Sequence, residues 1–376
     1  MRDIACKNRI EQLLERTGIG INGSASWDIC VKDERFFARV LAQGSLGFGE
    51  SYMDGWWECA RVDELFYRLL RADIRAKILP TFGMVKDAIM ARMLNRQNQK
   101  RAFHIGEAHY DIGNDLYQAM LDARMTYTCG YWSDASHPIT LDAAQEAKLD
   151  LVCRKIGLKK GDRVLDIGCG WGSFAKFAAE KYGASVVGIT VSKEQKKYAQ
   201  ERCAGLPIEI RLQDYRDVTE TFDHVISLGM FEHVGEKNYR AYFRVARRCL
   251  KDHGFFLLHT IGGNTSGHTT DPWIDRYIFP HSLIPSAKQI SVAAEGLFVM
   301  EDWHNFSTDY DKTLMAWSAN VERHWDALNG TYDERFHRMW RYYLLSCAGS
   351  FRARLNQLWQ IVYSKNGVLG GYTSLR

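Results

Sequence analysis

Residues 163–173 read RVLDIGCGWGS, an apolar run that breaks into Gly168-x-Gly170-x-Gly172 and enters a helix-forming segment at once. Glycines let a backbone turn sharply and keep any Cβ out of a ligand's way. The unpaired N–H groups of a helix start face the same spot. The chain around this loop alternates in type. Strands are predicted at 163–167, 186–190, 208–212, 224–228 and 255–259, and helices at 173–182, 193–203 and 239–250. That order predicts an α/β fold with a mostly parallel sheet and helices on both faces. Right-handed crossovers then bring ligands to the carboxyl ends of the strands.

The glycine spacing is not the G-x-G-x-x-G of dinucleotide enzymes, and no pyrophosphate clamp is evident, which argues against a nicotinamide cofactor. A strand followed by D-x-G-x-G-x-G resembles the first motif of the Rossmann-like class I methyltransferases. The plainer alternative is a glycine turn that only packs a helix on a sheet. The resemblance implies a site for S-adenosyl-L-methionine built from Leu165, Asp166, Ile167, Gly168, Cys169, Gly170, Trp171, Gly172 and Ser173. The second strand ends in Thr190 and continues through Val191, Ser192, Lys193 and Glu194 to Gln195, without the acidic residue that often holds the ribose hydroxyls. Thr190 and Gln195 are the candidates to replace it. After the third strand, Gln213 and Asp214 are placed to meet the adenine, although Asp214 also suits a turn cap.

At 376 residues the chain is long enough for about two domains. Residues 1–81 read as a small helical domain, 82–103 as a basic amphipathic helix and linker, and 104–376 as the catalytic domain. Within the first, the glycine- and aromatic-rich LGFGESYMDGWWE at 46–58 reads as a turn. In 82–101, Phe82, Val85, Ile89 and Met93 share a helical face, and Lys86, Arg92, Arg96, Lys100 and Arg101 supply charge. Such a helix suits an anionic membrane surface, and equally an ordinary helix with a solvated face. The long stretch after 262 reads as an irregular insertion, followed by helices at 311–328 and 333–355 and a last strand in LWQIVYS. With 49 basic and 45 acidic residues, the charge is too balanced for a dedicated nucleic-acid binder. Nine scattered cysteines without a C-x-x-C pair, behind an N-terminus too charged for a signal peptide, point to reduced thiols inside a cell and away from zinc. No apolar stretch approaches the roughly 18 residues that span a bilayer.

Further clusters surround the loop: HYDIGND at 109–115, MTYTCGYW at 125–132, SLGMFEHVG at 227–235, LLHTIG at 257–262, DWHNFSTDYDKTL at 302–314 and CAGSFRAR at 347–354. Together they resemble the cyclopropane-fatty-acyl-phospholipid synthases, and LGFGESYMDGWWE resembles the N-terminal domain of the bacterial two-domain members. The likeness covers nearly the whole chain. Thr128 and Gly130 stand where family members often carry serine and alanine.

The resemblance implies methylene transfer to a cis double bond in a phospholipid acyl chain. It implies a bound bicarbonate as base, held by Glu232, His259 and Tyr310, with backbone contacts near Cys129 and Ile261. It places Tyr127 and Thr128 on the cofactor and Cys347 near the acyl pocket rather than as a base. Read alone, Glu232 suits a surface helix start, His259 a core histidine and Tyr310 ordinary packing. Tyr127, Trp132, Trp171, Trp273 and Phe279 suit either an acyl tunnel or the core. A homodimer on the cytoplasmic face of an anionic membrane, with no nucleic acid, follows from the same resemblance. The alternatives are an S-adenosylmethionine-dependent C-methyltransferase acting on another lipid or small molecule, and a non-catalytic lipid-binding protein.

Overall fold

The computed structural model describes residues 2–72, 113–132 and 139–376. The basic segment at 82–101 and residues 109–112 of the HYDIGND cluster lie outside the described residues. The chain divides into two compact units. One comprises 1–94, 269–280 and 310–356; the other comprises 95–268, 281–309 and 357–376.

The first unit is helical. Helices Arg2–Leu14, Arg35–Gln43, Ser45–Met53 and Val62–Arg71 accompany a short antiparallel ribbon of β1 (Cys30–Val31) and β2 (Trp57–Glu58). Phe36, Phe37, Tyr52 and Trp57 are fully buried, and the Phe48 ring stacks on Trp57 at 4.5 Å. The turn expected at 46–58 is instead the helix Ser45–Met53 followed by β2. Within the helix Gly49 serves closeness, since a Cβ there would lie 2.4 Å from Cδ1 of Trp273, whereas Gly55, at φ 73°, makes the turn into β2. Helix Glu334–Arg352 belongs to the same unit. Its Arg352 binds Asp311 through two hydrogen bonds of 2.9 Å and Asp63 at 2.7 Å.

The second unit is built on a seven-stranded sheet. Its strands are β3 (Arg163–Ile167), β4 (Ser185–Thr190), β5 (Ile208–Leu212), β6 (His224–Leu228), β7 (Phe255–Gly263), β8 (Val299–Asn305) and β9 (Asn356–Ser364), in the order β5-β4-β3-β6-β7-β9-β8. Strands β3 to β7 pair in parallel, and β8 pairs antiparallel with β9. Both faces are covered. Leu165, Val225, Phe256 and Ile361 are buried on one side; Val164, Ile226, Leu257 and Val362 are buried on the other. Apolar residues therefore run continuously along these strands instead of alternating with polar ones.

The sheet order reverses next to β3, which places the glycine loop at the crevice where such folds bind ligands. The insertion after 262 is more regular than its composition suggests. β7 runs on to Gly263, and a short helix spans Pro272–Tyr277. Asp271 caps that helix by accepting from the N–H groups of Trp273 and Ile274, and proline occupies its first turn. Beyond β9 the chain folds back onto the second unit, where the Arg376 guanidinium pairs with Asp302 and the Tyr372 hydroxyl donates to the Lys155 carbonyl.

Candidate active site

The cofactor loop takes the shape its glycines allow. Gly168, Gly170 and Gly172 all have positive φ, at 85°, 53° and 80°. A Cβ on Gly168 would lie 2.7 Å from the Met230 side chain, so this position excludes any larger residue twice over. The N–H groups of Gly168 and Cys169 both donate to the Ile189 carbonyl, pinning the loop to β4. Helix Ser173–Tyr182 opens directly behind it.

The loop forms one wall of a cavity within the second unit. Of the residues expected at the cofactor, Tyr127, Thr128, Asp166, Ile167, Gly168, Cys169, Gly170, Trp171, Ser173, Thr190, Val191, Gln195, Gln213 and Asp214 line it. Leu165 lies in the core of β3, and Gly172, Ser192, Lys193 and Glu194 do not reach the lining. Ser192 instead caps the helix Lys193–Arg202, accepting from the Gln195 N–H at 3.2 Å.

At the end of β4, Thr190 donates to Gln195 Oε1 at 2.8 Å, a neutral polar pair where a carboxylate is common. Asp214 accepts from the Arg216 backbone and side chain, both at 2.9 Å, so it caps a turn while lining the cavity. Trp171 is held by a hydrogen bond of 2.9 Å from its indole N–H to Asn114, and packs on Tyr117 at 4.7 Å. Asn114 belongs to the described part of the HYDIGND cluster, Gly113 to Asp115.

Several lining residues were not expected. Lys148, Thr126, Met230 and His233 all face the cavity. Thr126 pairs with Ser173 at 2.5 Å across the loop. Lys148 lies on the helix Leu141–Lys155, a segment with no motif of its own, so nothing in the sequence singled it out. Asp166 is buried beside it; burial pushes its carboxyl up to about 7, against the pull of Lys148.

Glu232 and His259 lie on the β6 and β7 side of β3, and neither is among the residues that line the cavity. Glu232 occupies a single 3-10 turn, Phe231–His233, after β6. Its Oε1 accepts from the Ile261 N–H at 2.6 Å, whereas its buried Oε2 has no hydrogen bond among the described residues. Burial pushes this carboxyl up to about 7. His259, in β7, is 1% exposed. Burial holds its imidazole well below the usual range, with Lys148 and Lys155 adding to the effect, so the ring is neutral. The Gln360 amide meets Nδ1 at 3.3 Å, and the buried Nε2 has no hydrogen bond among the described residues. With Gln360 donating, Nδ1 accepts and the ring proton sits on Nε2. Cys129 is buried in the same unit, its thiol donating to the Gly130 carbonyl at 3.1 Å.

Tyr310, Cys347, Trp273 and Phe279 belong to the first unit. There Tyr310 packs on Phe351 at 4.6 Å, Trp273 on Tyr342 at 4.5 Å and Phe279 on Tyr343 at 5.7 Å. Burial pushes the Cys347 thiol up to about 12, and the Asp271 carboxylate adds to the shift.

Residues 97–361 match the mycolic acid cyclopropane synthetase family. The chain belongs to that family. Among curated relatives, it is 54% identical over 360 residues to the cyclopropane-fatty-acyl-phospholipid synthase of Escherichia coli strain K12, covering 96% of this chain and 93% of the relative. Among solved structures, the cyclopropane synthase MmaA2 from Mycobacterium tuberculosis superposes with a TM-score of 0.66 at 30% identity, covering 70% of this chain and 98% of its own. The mycolic acid cyclopropane synthase CmaA1, solved with S-adenosylhomocysteine, gives 0.65 at 33% identity, covering 70% of this chain and 98% of its own. Membership in the cyclopropane synthetase family makes the chain an enzyme, a one-carbon transferase that uses S-adenosylmethionine.

Proposed function

We propose that the chain transfers a methylene from S-adenosyl-L-methionine to the cis double bond of an unsaturated acyl chain in a membrane phospholipid, forming a cyclopropane ring. The observation that carries this reading is the burial of two polar atoms, Glu232 Oε2 in the turn after β6 and His259 Nε2 within β7, each without a hydrogen bond among the described residues, on the two strands that follow β3 in the sheet order. A buried polar group without a partner is costly, and such groups mark places where something else binds.

The chemistry accounts for the pair. The alkene π electrons take the methyl from sulfur, and S-adenosylhomocysteine leaves. The transferred methyl must then lose a proton so that its C–H electron pair can close the ring. Glu232 and His259 suit an anion at that point. The neutral ring offers its Nε2–H, and a carboxyl near 7 offers an O–H for part of the time at neutral pH. Bicarbonate, when bound, supplies the base for the methyl proton. Glu232 and His259 hold it, Tyr310 is a third donor by family resemblance, and the contacts near Cys129 and Ile261 complete the cradle. A dry site of this kind strengthens every electrostatic contact with the developing cation.

The full-length likeness to the Escherichia coli relative supports phospholipid as the substrate class. On the same reading, residues 1–81 bind lipid, 82–103 dock on anionic headgroups, and 104–376 carry the catalysis. None of the described helices is long and apolar enough to cross a membrane, which is compatible with peripheral binding at the cytoplasmic face. Pairing as a homodimer is expected from the resemblance.

The test combines purified protein, labelled donor and unsaturated phospholipid vesicles, followed by analysis of the product. Cyclopropanation and methylation add the same mass, but a cyclopropane leaves no alkene for ozonolysis. Product that still cleaves would replace the proposal with C-methyl transfer. Absence of lipid-dependent S-adenosylhomocysteine release would replace it with lipid binding alone.

A further inference from the structure

Lys148 is fully buried, yet it lines the cavity that holds the glycine loop. Its Nζ donates to Thr128 Oγ1 at 2.7 Å. An ammonium carries three donors, and taking one out of water is expensive unless an anion meets it. Among the described residues no carboxylate lies within ion-pair distance of this Nζ.

Asp122 and Asp166 attract it only from beyond ion-pair distance. Asp122 is committed to its own turn, accepting from the N–H groups of Thr126 at 2.7 Å and Arg124 at 3.1 Å. Asp166 is protonated for part of the time at neutral pH, because burial pushes its carboxyl up to about 7. One turn earlier on the same helix, Gln145 donates to the Thr128 carbonyl at 2.7 Å, so this helix holds Thr128 by both its carbonyl and its hydroxyl. The ammonium is thus buried, fixed against Thr128 and facing the cavity, with no carboxylate in direct contact among the described residues.

We infer that Lys148 binds the carboxylate of the methionine moiety of S-adenosylmethionine and of S-adenosylhomocysteine. The inference rests on the cavity being the donor site, and it assigns the end of the donor that carries the amino acid to the Lys148–Thr128 wall. The rest of the donor bears no carboxylate, so this contact also fixes which way round the molecule lies.

The test measures calorimetric affinities for S-adenosylhomocysteine and for its decarboxylated form, which keeps the thioether and the amine. The wild-type protein is expected to prefer the carboxylate-bearing ligand by roughly 10–100-fold, the range of a charge-assisted hydrogen bond. Lys148→Met and Lys148→Gln are expected to abolish that preference while leaving affinity for the decarboxylated ligand within about threefold. Lys148→Arg is expected to restore part of the preference. Equal wild-type affinity for the two ligands overturns the inference without recourse to any variant. An unchanged preference in whichever of Lys148→Met and Lys148→Gln folds overturns it as well. Failure of the wild-type protein to bind S-adenosylhomocysteine at all would instead remove the donor site itself.

Discussion

The backbone N–H of Ile261 donates to Glu232 Oε1 at 2.6 Å, tying the turn after β6 to the end of β7. That bond fixes the carboxyl and leaves Oε2 buried with nothing to pair it among the described residues. The arrangement is poor for stability and suited to holding a ligand, a trade common at active sites.

Glu232→Gln separates the two effects. Turnover is expected to fall by at least about 10²-fold, with S-adenosylhomocysteine affinity unchanged, because Gln keeps the Ile261 bond and loses the acid. Stability should move the other way. Burial pushes the folded carboxyl up to about 7 from its ordinary 4.5, so its contribution is complete below 4.5 and is lost as pH rises through 7. The variant should therefore melt higher than wild type at pH 8, by an amount worth up to about 3 kcal/mol, and show no gain at pH 4. Thermal melts at the two pH values check this; a variant less stable at pH 8 contradicts it.

Cys347→Ala is expected to keep more than about a tenth of wild-type turnover. The chemistry needs no covalent enzyme intermediate, and a thiol pushed up to about 12 is almost wholly protonated at neutral pH. Complete loss of turnover in a folded variant would show a direct role for the sulfur.

Arg352→Met should destabilise the first unit by about 1–2 kcal/mol. It removes one of the two guanidinium groups on the buried Asp63 and the partner of Asp311, while Arg61 stays on Asp63 at 2.8 Å. Burial raises the Asp63 carboxyl, but the hydrogen bonds from Arg61 and Arg352 outweigh it and take it down to about 2. This stabilisation is present above 3.8 and is lost as pH falls through 2. Urea melts of the two proteins should differ clearly at pH 7 and converge in strong acid.

Gly188→Ala probes the seat of the cofactor loop. The added Cβ would lie 2.9 Å from both Cys169 Cβ and Ile210 Cδ1, and the loop is the softer neighbour. Affinity for S-adenosylhomocysteine is expected to drop by about tenfold, with about 1–3 kcal/mol of stability lost to overpacking. Calorimetry showing wild-type affinity would mean that Ile210 moves instead.

The glycine loop that walls the cavity was legible because its parts are consecutive. Strand β3, the glycines and the next helix fall within 20 residues, and apolar runs broken by glycine announce themselves. Glu232 and His259 stood out only through the motifs around them, since an isolated histidine on an apolar strand looks like core. The segment at 46–58 misled because a glycine reads the same whether it turns a chain or lets a helix approach Trp273.

The sequence by itself determined the order of strands and helices, the position of the glycine loop and the family, all of which depend on neighbours along the chain. The tertiary structure alone decided that Lys148 faces the cofactor cavity, that Gln360 orients His259, and that the helical N-terminal segment shares a unit with residues 269–280 and 310–356. The physical reason is range. Backbone propensity and periodicity act over a few residues, whereas the partner of a ring nitrogen and that of a buried charge lie 101 and 289 residues away along the chain.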